Sequence, residues 1–174
     1  MLGEKRLSLK VFDLYLPFIL GNRKNTLSKS DVVEDPYNLI RFVQAQERDY
    51  ERALSEVKDG RKYSHWMWYI FPQFEGLGFS SIAKLYSIKS VAEAEAYLSH
   101  SVLVPRLKEC TEAVISVEGR SAYDIFGFPD EMKLKSCATL FSYVSSAESA
   151  ESVFQFIIDK YFQGECDPNT LRLL

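Results

Sequence analysis

The sequence has few of the residues that bind metals or form disulfides. Its 174 residues include two histidines, His65 and His100, and three cysteines, Cys110, Cys137 and Cys166. The cysteines are odd in number and form no C-x-x-C pair, whereas secreted frameworks pair their thiols and structural zinc sites cluster them. We therefore predict no metal site, no disulfide framework, and free thiols in a reducing cytoplasm.

Long apolar runs and an excess of positive charge are also missing. One early run, residues 11–20, is mostly apolar, but Asp13 and Pro17 interrupt it and it is too short for a membrane span. Lysine and arginine number 21 against 24 acidic residues, which gives a formal net charge of −3. We predict no membrane association, and the charge balance argues against a nucleic-acid partner, since such partners select a basic surface.

Standard catalytic signatures do not occur. The chain contains no G-x-x-x-x-G-K-[ST] loop, no H-E-x-x-H and no G-x-S-x-G. The segment Gly76–Ser81 (GLGFSS) begins like a dinucleotide-binding G-x-G-x-x-G, but serine replaces the third glycine and no strand is predicted before it. The sequence therefore predicts no cofactor.

Apolar and aromatic side chains in helical spacing are abundant instead. Hydrophobic residues make up 47% and aromatic residues 14% of the chain, enough to bury a core without covalent staples. Apolar residues recur every three or four positions, and no segment alternates with the period of two typical of strands. We predict an all-α fold, with residues 35–174 forming a single compact domain of about seven helices around a short buried aromatic helix. Residues 1–34 are predicted to be a weakly ordered N-terminal extension.

Capping residues and helix breakers define the predicted helix ends. Asp35-Pro36 opens the first helix, with aspartate as N-cap and proline in the first turn, and Gly60 ends it. The charged residues of this helix, Glu56 among them, are predicted to face solvent. Ser64 is predicted to cap the short aromatic helix, which Pro72 stops. Asp130 is predicted to cap the sixth helix. The other predicted helices cover roughly residues 81–86, 91–98, 104–115 and 150–162, with a last half-turn after Asp167-Pro168.

The segment His65–Gly78 differs most from an ordinary helical sequence. It contains both tryptophans of the chain, one of its two histidines and a glycine pair within fourteen residues. Its helix would be apolar nearly all round, and the break at Pro72 would bring a polar, glycine-containing loop beside it. Glycines let backbone amides approach a ligand, and the helix that follows Ser80 adds partial positive charge at its start. These features together favour a ligand pocket.

The candidate site residues follow from that pocket. His65 is the candidate acid/base, because imidazole titrates near neutral pH. The candidate ligand-binding residues are Gln46, Trp66, Trp68, Gln73, Gly76, Gly78, Ser80 and Lys135. The tryptophans would stack on the ligand, the amides would hydrogen-bond it, and the lysine would neutralise a negative charge. The competing interpretation is structural, because aromatic-rich helices usually belong to the core and lysines usually face solvent.

Several motifs occur together in a recognisable combination. They are HWMWYIFPQ at His65–Gln73, GLG at Gly76–Gly78, FVQAQ at Phe42–Gln46, IFG at Ile125–Gly127 and KLKS at Lys133–Ser136. In this combination the sequence resembles an uncharacterised family, the domain of unknown function numbered 1810, which is sometimes mislabelled calpastatin. The resemblance covers about residues 35–174 and implies a mainly helical single domain. It implies no established activity and supplies no catalytic residue.

Two functions of different classes fit the sequence. The first is a small-molecule enzyme or binder whose pocket takes an anionic, nucleotide-like or ADP-ribose-like ligand, with N-glycosidic hydrolysis as the reaction considered. Small helical glycosidases that act on ADP-ribose derivatives provide an analogy at the level of fold only. The alternative is a non-catalytic protein-interaction module in which the aromatic segment serves as core.

Overall fold

The computed structural model describes residues 35–145 and 152–174, and helices dominate both ranges. These ranges contain nine helices and no strand, apart from one isolated parallel bridge between Phe74 and Ile88. The helices are α1 Ile40–Lys58, α2 Met67–Ile70, α3 Ser81–Leu85, α4 Val91–Ser99, α5 Leu103–Ser116, α6 Ala122–Phe126, α7 Asp130–Ser145, α8 Val153–Phe162 and α9 Pro168–Leu173. The all-α prediction is confirmed. The N-terminal extension and the predicted helix start at Ala150 lie outside the described residues.

Two short helices account for the difference from the seven predicted. Helix α9 is the expected half-turn extended to six residues, and Asp167 caps it by accepting the Thr170 N–H at 2.9 Å. Helix α6 is opened by a capping box in which the side chains of Ser121 and Asp124 each accept the other's backbone N–H. Its five residues are too few to show a periodic apolar stripe, so periodicity could not reveal it.

Helix α1 begins later than predicted. It starts at Ile40 rather than at Pro36, because a turn comes first in which Asn38 adopts a φ of 52°. The Asp35 carboxylate still serves the helix start, since it accepts the N–H groups of Leu39 at 2.7 Å and Ile40 at 2.9 Å. The prediction of Asp35 as N-cap is therefore wrong, because Leu39 occupies that position without a side-chain cap, although the Asp35 carboxylate still binds the first amides of the helix.

The aromatic helix α2 is shorter than predicted but lies where expected. It begins at Met67, so His65 lies in the preceding loop and Trp66 occupies the N-cap position. Ser64 does not cap it, because the Ser64 hydroxyl donates to Glu56 at 2.5 Å. Its core position is confirmed by five buried side chains, those of Trp66, Met67, Tyr69, Ile70 and Phe71.

Asp130 is the first residue of α7, but its side chain does not cap the helix. Its carboxylate instead forms ion pairs with the Nζ atoms of Lys62 at 2.7 Å and Lys133 at 2.6 Å. The first amides of α7 bond to the carbonyl oxygens of Gly127 and Pro129. A stronger electrostatic partner, Lys62 from a distant part of the chain, thus overrides the local capping preference of aspartate.

The packing of the helices places α6 beside the loop after α1. Helix α1 packs against α5, α5 against α8 and α8 against α7, while α4 contacts both α5 and α7. Helix α6 packs on α7. The Lys62 N–H donates to the Ile125 carbonyl at 2.7 Å, which joins residues 59–66, the loop between α1 and α2, to α6. Residues 35–174 form one compact unit.

The three cysteines are free thiols. Cys110 and Cys137 are buried, and burial raises the pKa of the Cys110 thiol to about 12, so it stays protonated and unreactive at neutral pH. Among the described residues, no group of histidine, cysteine and carboxylate side chains could hold a metal ion. None of the described helices has the length and apolar character needed to cross a membrane. The cytoplasmic location stays a prediction.

Candidate functional site

Gln46, predicted to bind a ligand, lies in the core with its amide bound to protein groups. Its Nε2 atom donates to the Tyr69 carbonyl at 2.7 Å and to the Tyr97 hydroxyl at 3.2 Å. Its Oε1 atom accepts from Arg106 at 3.5 Å. These bonds satisfy a polar group inside an apolar stripe, which burial requires. They connect α1 to α2, α4 and α5, so Gln46 has a structural function in the observed geometry.

Trp66, the first predicted stacking residue, is fully buried and hydrogen-bonded to Glu56. The indole N–H donates to Glu56 Oε2 at 2.8 Å, and the N–H groups of Tyr63 and Ser64 donate to the same oxygen at 2.9 and 3.0 Å. Burial opposes ionisation of Glu56, but these bonds and the Ser64 hydroxyl outweigh it and lower the Glu56 pKa to about 2. The periodicity of α1 placed Glu56 on the solvent side; that prediction is wrong, because the loop folds back over it.

His65, Trp68 and Lys135 lie in three different surroundings. The His65 side chain is exposed, and its backbone carbonyl accepts the Tyr69 hydroxyl at 3.1 Å. Trp68 is half-buried, with the Lys133 Nζ atom 4.7 Å from its ring centroid. The Lys135 Nζ atom lies 5.5 Å from the ring centroid of Phe162 in α8. Both lysines therefore rest on aromatic faces within this domain.

The loop after α2 contains the remaining predicted residues, Gln73, Gly76, Gly78 and Ser80. Packing against α3 or capping of α3 explains two of them without a ligand. A Cβ atom on Gly78 would lie 2.6 Å from the Ala83 Cβ atom, so any larger residue would collide with α3. The Ser80 hydroxyl accepts the Ala83 N–H at 3.2 Å and caps α3, as predicted. The Gln73 carbonyl accepts the Ile88 N–H at 2.8 Å.

Gly76, one of the predicted ligand-binding residues, lines a surface groove that we call the second groove. This second groove has a volume of about 470 Å³ and is lined by Gly76, Leu77, Phe79, Asn169, Arg172 and Leu173. Gln46 and Trp66 thus lie in the core, and Gln73, Gly76, Gly78 and Ser80 share one loop, but of these four only Gly76 lines this groove. Their roles toward a ligand stay predictions.

A larger groove lies between the α1–α2 loop and α6. Its volume is about 680 Å³, and we call it the cationic groove; it is lined by Arg61, Lys62, Gly119, Arg120, Tyr123, Asp124, Ile125, Phe126 and Gly127. Three of these side chains are basic and one is acidic. Local charge here is opposite in sign to the net charge of the chain, −3.

Arg120 is positioned by its contact with Gly60, the residue that ends the first predicted helix. Gly60 has a φ of 71°, and a Cβ atom there would lie 3.1 Å from the Arg120 Cδ atom. The arginine stem therefore crosses the bare backbone at Gly60. Its guanidinium forms no hydrogen bond within the described ranges, which leaves all of its donors available to a ligand or to water.

Arg61 and Lys62 supply the other two positive charges of the cationic groove. The Arg61 guanidinium lies 5.4 Å from the ring centroid of exposed Tyr63 and is not hydrogen-bonded to any described residue. The Lys62 side chain is 10% exposed and is held by Asp130. Asp130 also pairs with Lys133, so one carboxylate serves two ammonium groups, and this pairing lowers the Asp130 pKa although burial opposes the shift.

Asp124 is the acidic residue of the groove and is committed to the capping box. Its carboxylate accepts the Ser121 hydroxyl at 2.6 Å and the Ser121 N–H at 2.9 Å. These two hydrogen bonds lower the Asp124 pKa, so the group is ionised at neutral pH. The cationic groove therefore carries more positive than negative charge at neutral pH.

Fold and groove together define an all-α domain with an open, positively charged surface cleft. The chain belongs to the family described as "Protein of unknown function (DUF1810)", whose family model matches residues 36–174. This confirms the resemblance found in the sequence. The chain is also similar to the crystal structure of the conserved hypothetical protein Rv1873 from Mycobacterium tuberculosis, with 47% identity and a TM-score of 0.77. That match covers 80% of this chain and 98% of the mycobacterial chain. No curated protein matches significantly.

The sequence did not identify the cationic groove, because its residues come from two distant segments, residues 61–62 and residues 119–127. Arg61 and Lys62 follow a helix rich in charged residues, and Arg120 precedes a helix too short for periodicity to detect. One local signal was present: Ser121 and Asp124 have the S-x-x-D spacing of a capping box. That spacing would have predicted α6, but not its contact with the loop after α1.

Proposed function

We propose that this protein binds a small anionic ligand of the nucleotide or ADP-ribose type in the cationic groove. The observation that carries the proposal is the pair of guanidinium groups, Arg61 and Arg120, which line the groove without a hydrogen-bond partner among the described residues. A guanidinium offers parallel donors that match two phosphate oxygens. Two such groups at one cleft favour a ligand that carries phosphate.

The size and the backbone of the groove support a small ligand. Its volume of about 680 Å³ lies within the roughly 300–1,000 Å³ typical of small-molecule sites. Gly119 and Gly127 line it, and a Cβ atom at either position would meet no other atom within 4 Å. Because the backbone at Gly119 faces open space, a phosphate group can approach its amide closely, whereas the Gly127 N–H is already donated to the Tyr123 carbonyl.

Direct binding measurements on wild-type protein and three arginine variants test the proposal. We expect ADP and ADP-ribose to bind, and Arg61→Ala and Arg120→Ala each to weaken binding by about 10- to 100-fold, the worth of hydrogen bonds to a charged group. Isothermal titration calorimetry at low and moderate salt gives the affinities.

Arg48→Ala is the matched control, because Arg48 is exposed on α1, away from the groove, and has no partner among the described residues. The proposal is wrong if neither ligand binds at millimolar concentration. It is also wrong if all three arginine variants weaken binding equally, which would indicate a general charge effect.

Hydrolysis of an N-glycosidic bond is the reaction we propose for such a ligand. Water attacks the anomeric carbon, the carbon–nitrogen bond breaks, a side chain accepts the proton from water, and the leaving base is protonated from solvent. Asp124 lines the groove as an ionised carboxylate, whereas exposed His65 is not among the lining residues. Release of free base, followed chromatographically in wild type, Asp124→Asn and His65→Ala, distinguishes the two candidates from each other and from binding without turnover.

The alternative proposal, a protein-interaction module, draws on the second groove. The Phe79 side chain is 85% exposed there, next to apolar Leu77 and Leu173. An exposed aromatic beside an apolar cleft is typical of contact surfaces between proteins. If no small ligand binds while Phe79→Ala abolishes association with a partner protein, the alternative is the better explanation.

A further inference from the structure

Tyr123 is the exposed aromatic residue among those that line the cationic groove. Its side chain is 62% exposed, whereas Phe126 on the following turn is buried. Tyr63, in the α1–α2 loop, already has the Arg61 guanidinium over its ring at 5.4 Å. The Tyr123 side chain has no ring, cation or hydrogen-bond partner in the described part of the chain. Its ring is therefore free to contact a ligand in the groove.

The backbone that carries Tyr123 is held at both ends of α6. At the start, the Asp124 N–H donates to the Ser121 hydroxyl at 3.1 Å within the capping box. At the end, the Tyr123 carbonyl accepts the Gly127 N–H at 2.8 Å. The position of the ring is thus set except for its two side-chain torsions. Ordering a tyrosine ring against a ligand costs little conformational entropy for this reason.

The Tyr123 ring and the two guanidinium groups of the groove offer a ligand two different kinds of contact. Arg61 and Arg120 supply donors for phosphate oxygens, and neither guanidinium lies over the Tyr123 ring. The Tyr123 ring has a flat apolar face and a polar edge. Such a ring can stack on a nucleobase, because every base has a π-face. A molecule with both a phosphate and a base would use both contacts, and a bare phosphate only one.

We propose that Tyr123 stacks on the base of the ligand and makes the groove selective for nucleotides over phosphates without a base. This inference rests on the proposed function, because the arginines must first anchor the phosphates in the same groove. It goes further by naming the residue that distinguishes ADP from inorganic pyrophosphate, two ligands that share the diphosphate group.

Calorimetric titration with ADP and with pyrophosphate tests the inference. In wild type we expect ADP to bind more tightly than pyrophosphate. Tyr123→Ala should weaken ADP binding by about 5- to 150-fold, the range found for single base–aromatic stacks, and should change pyrophosphate binding by less than about twofold. Tyr123→Phe keeps the π-face and should retain ADP binding. Phe156→Ala removes an exposed aromatic ring from α8 and is the matched control.

The possible outcomes distinguish a failure of this inference from a failure of the proposed function. If pyrophosphate and ADP bind equally, or Tyr123→Ala weakens both or neither, the stacking role is wrong while the phosphate site remains. If wild type binds neither ligand, the proposed function and the inference fall together. Thermal melting of each variant verifies folding, because the exposed Tyr123 ring makes no contact whose loss would unfold α6.

Discussion

At the scale of single residues, Glu56 shows how a distant loop can change the environment of a side chain. On the helix α1 it occupies a position where charged residues face solvent, and the sequence predicts exposure. In the structure its two oxygens accept from Tyr63, Ser64 and Trp66 and the side chain is buried. The donors come from the α1–α2 loop, whose path periodicity does not describe. Burial with full hydrogen bonding could therefore not be predicted from the spacing.

The lowered pKa of Glu56 predicts a defined pH dependence of stability. Because the folded-state pKa is about 2 and the unfolded value is about 4.3, ionised Glu56 stabilises the fold above pH 4.3, and this contribution is lost as the pH falls toward 2. Glu56→Gln should reduce stability by about 1–3 kcal/mol at pH 7 and by less at pH 2.5. Urea denaturation of both proteins between pH 7 and 2.5 measures this difference.

The role of Glu56 is measured by the difference in unfolding free energy between wild type and Glu56→Gln at each pH. Asp130 and Asp167 also have lowered pKa values, and they contribute to acid unfolding in both proteins. Glu47→Ala, at an exposed position of α1, should change stability by less than about 0.5 kcal/mol. Parallel curves for wild type and Glu56→Gln would contradict the assigned role of the carboxylate.

At the scale of elements, α3 explains Gly78 without a ligand. The sequence predicts that this glycine brings backbone amides to a bound molecule. In the structure the absence of a Cβ atom lets the loop pass within contact distance of Ala83. Ser80 was predicted as the cap of α3 and is the cap, because local side-chain chemistry decides it. The packing of Gly78 depends on tertiary contact and could not be read from the sequence.

Substitution of Gly78 and its neighbour tests this packing. Gly78→Ala should destabilise the protein by about 1–3 kcal/mol, since its Cβ would overlap Ala83 and the structure must shift. Ala83→Gly should cost about 0.5–1 kcal/mol alone but should offset much of the cost of Gly78→Ala in the double variant. Urea denaturation of all four proteins gives the coupling energy. Simple additivity of the two effects would show that the contact is not the cause.

At the scale of the whole molecule, Arg41 joins parts of the chain that are far apart in sequence. Its guanidinium donates to the carbonyl groups of Tyr37 and Asn38, which precede α1. The same guanidinium donates to those of Leu85, the last residue of α3, and Ser87, just beyond it. It also pairs with the Glu93 carboxylate at 2.5 Å. One side chain thus connects the start of α1, the end of α3 and the first turn of α4.

Removal of Arg41 should affect global stability more than removal of an ordinary surface charge. Arg41→Ala leaves buried Glu93 without its cation, and we expect a loss of about 3–5 kcal/mol. The double variant Arg41→Ala, Glu93→Ala should be more stable than Arg41→Ala, because the unpaired charge is then gone. Urea denaturation measures both, with Arg48→Ala as the surface control. A loss no larger than that of the control would contradict this role.

The all-α class and most helices followed from apolar spacing, because that signal is local and repeated over many residues. The cationic groove did not follow, because composition reports the net charge of −3 and says nothing of where single charges meet. Arg61 and Arg120 belong to segments that only the packed helices bring together. Prediction therefore succeeded for the helices, whose apolar pattern is periodic. It failed for the cationic groove, which depends on contacts between residues far apart in sequence.

The hydrogen bonds at Glu56 and Arg41 have a consequence for proteolytic cleavage. They fasten the chain on both sides of the stretch that contains α2 and α3, at residues 63–66 and at residues 85–87. The tip of that stretch exposes Phe79, a side chain that chymotrypsin recognises. A single nick at the tip would leave each new terminus fastened to the body through its own set of donors and acceptors. The two fragments would then elute together as one folded species and separate only in denaturant.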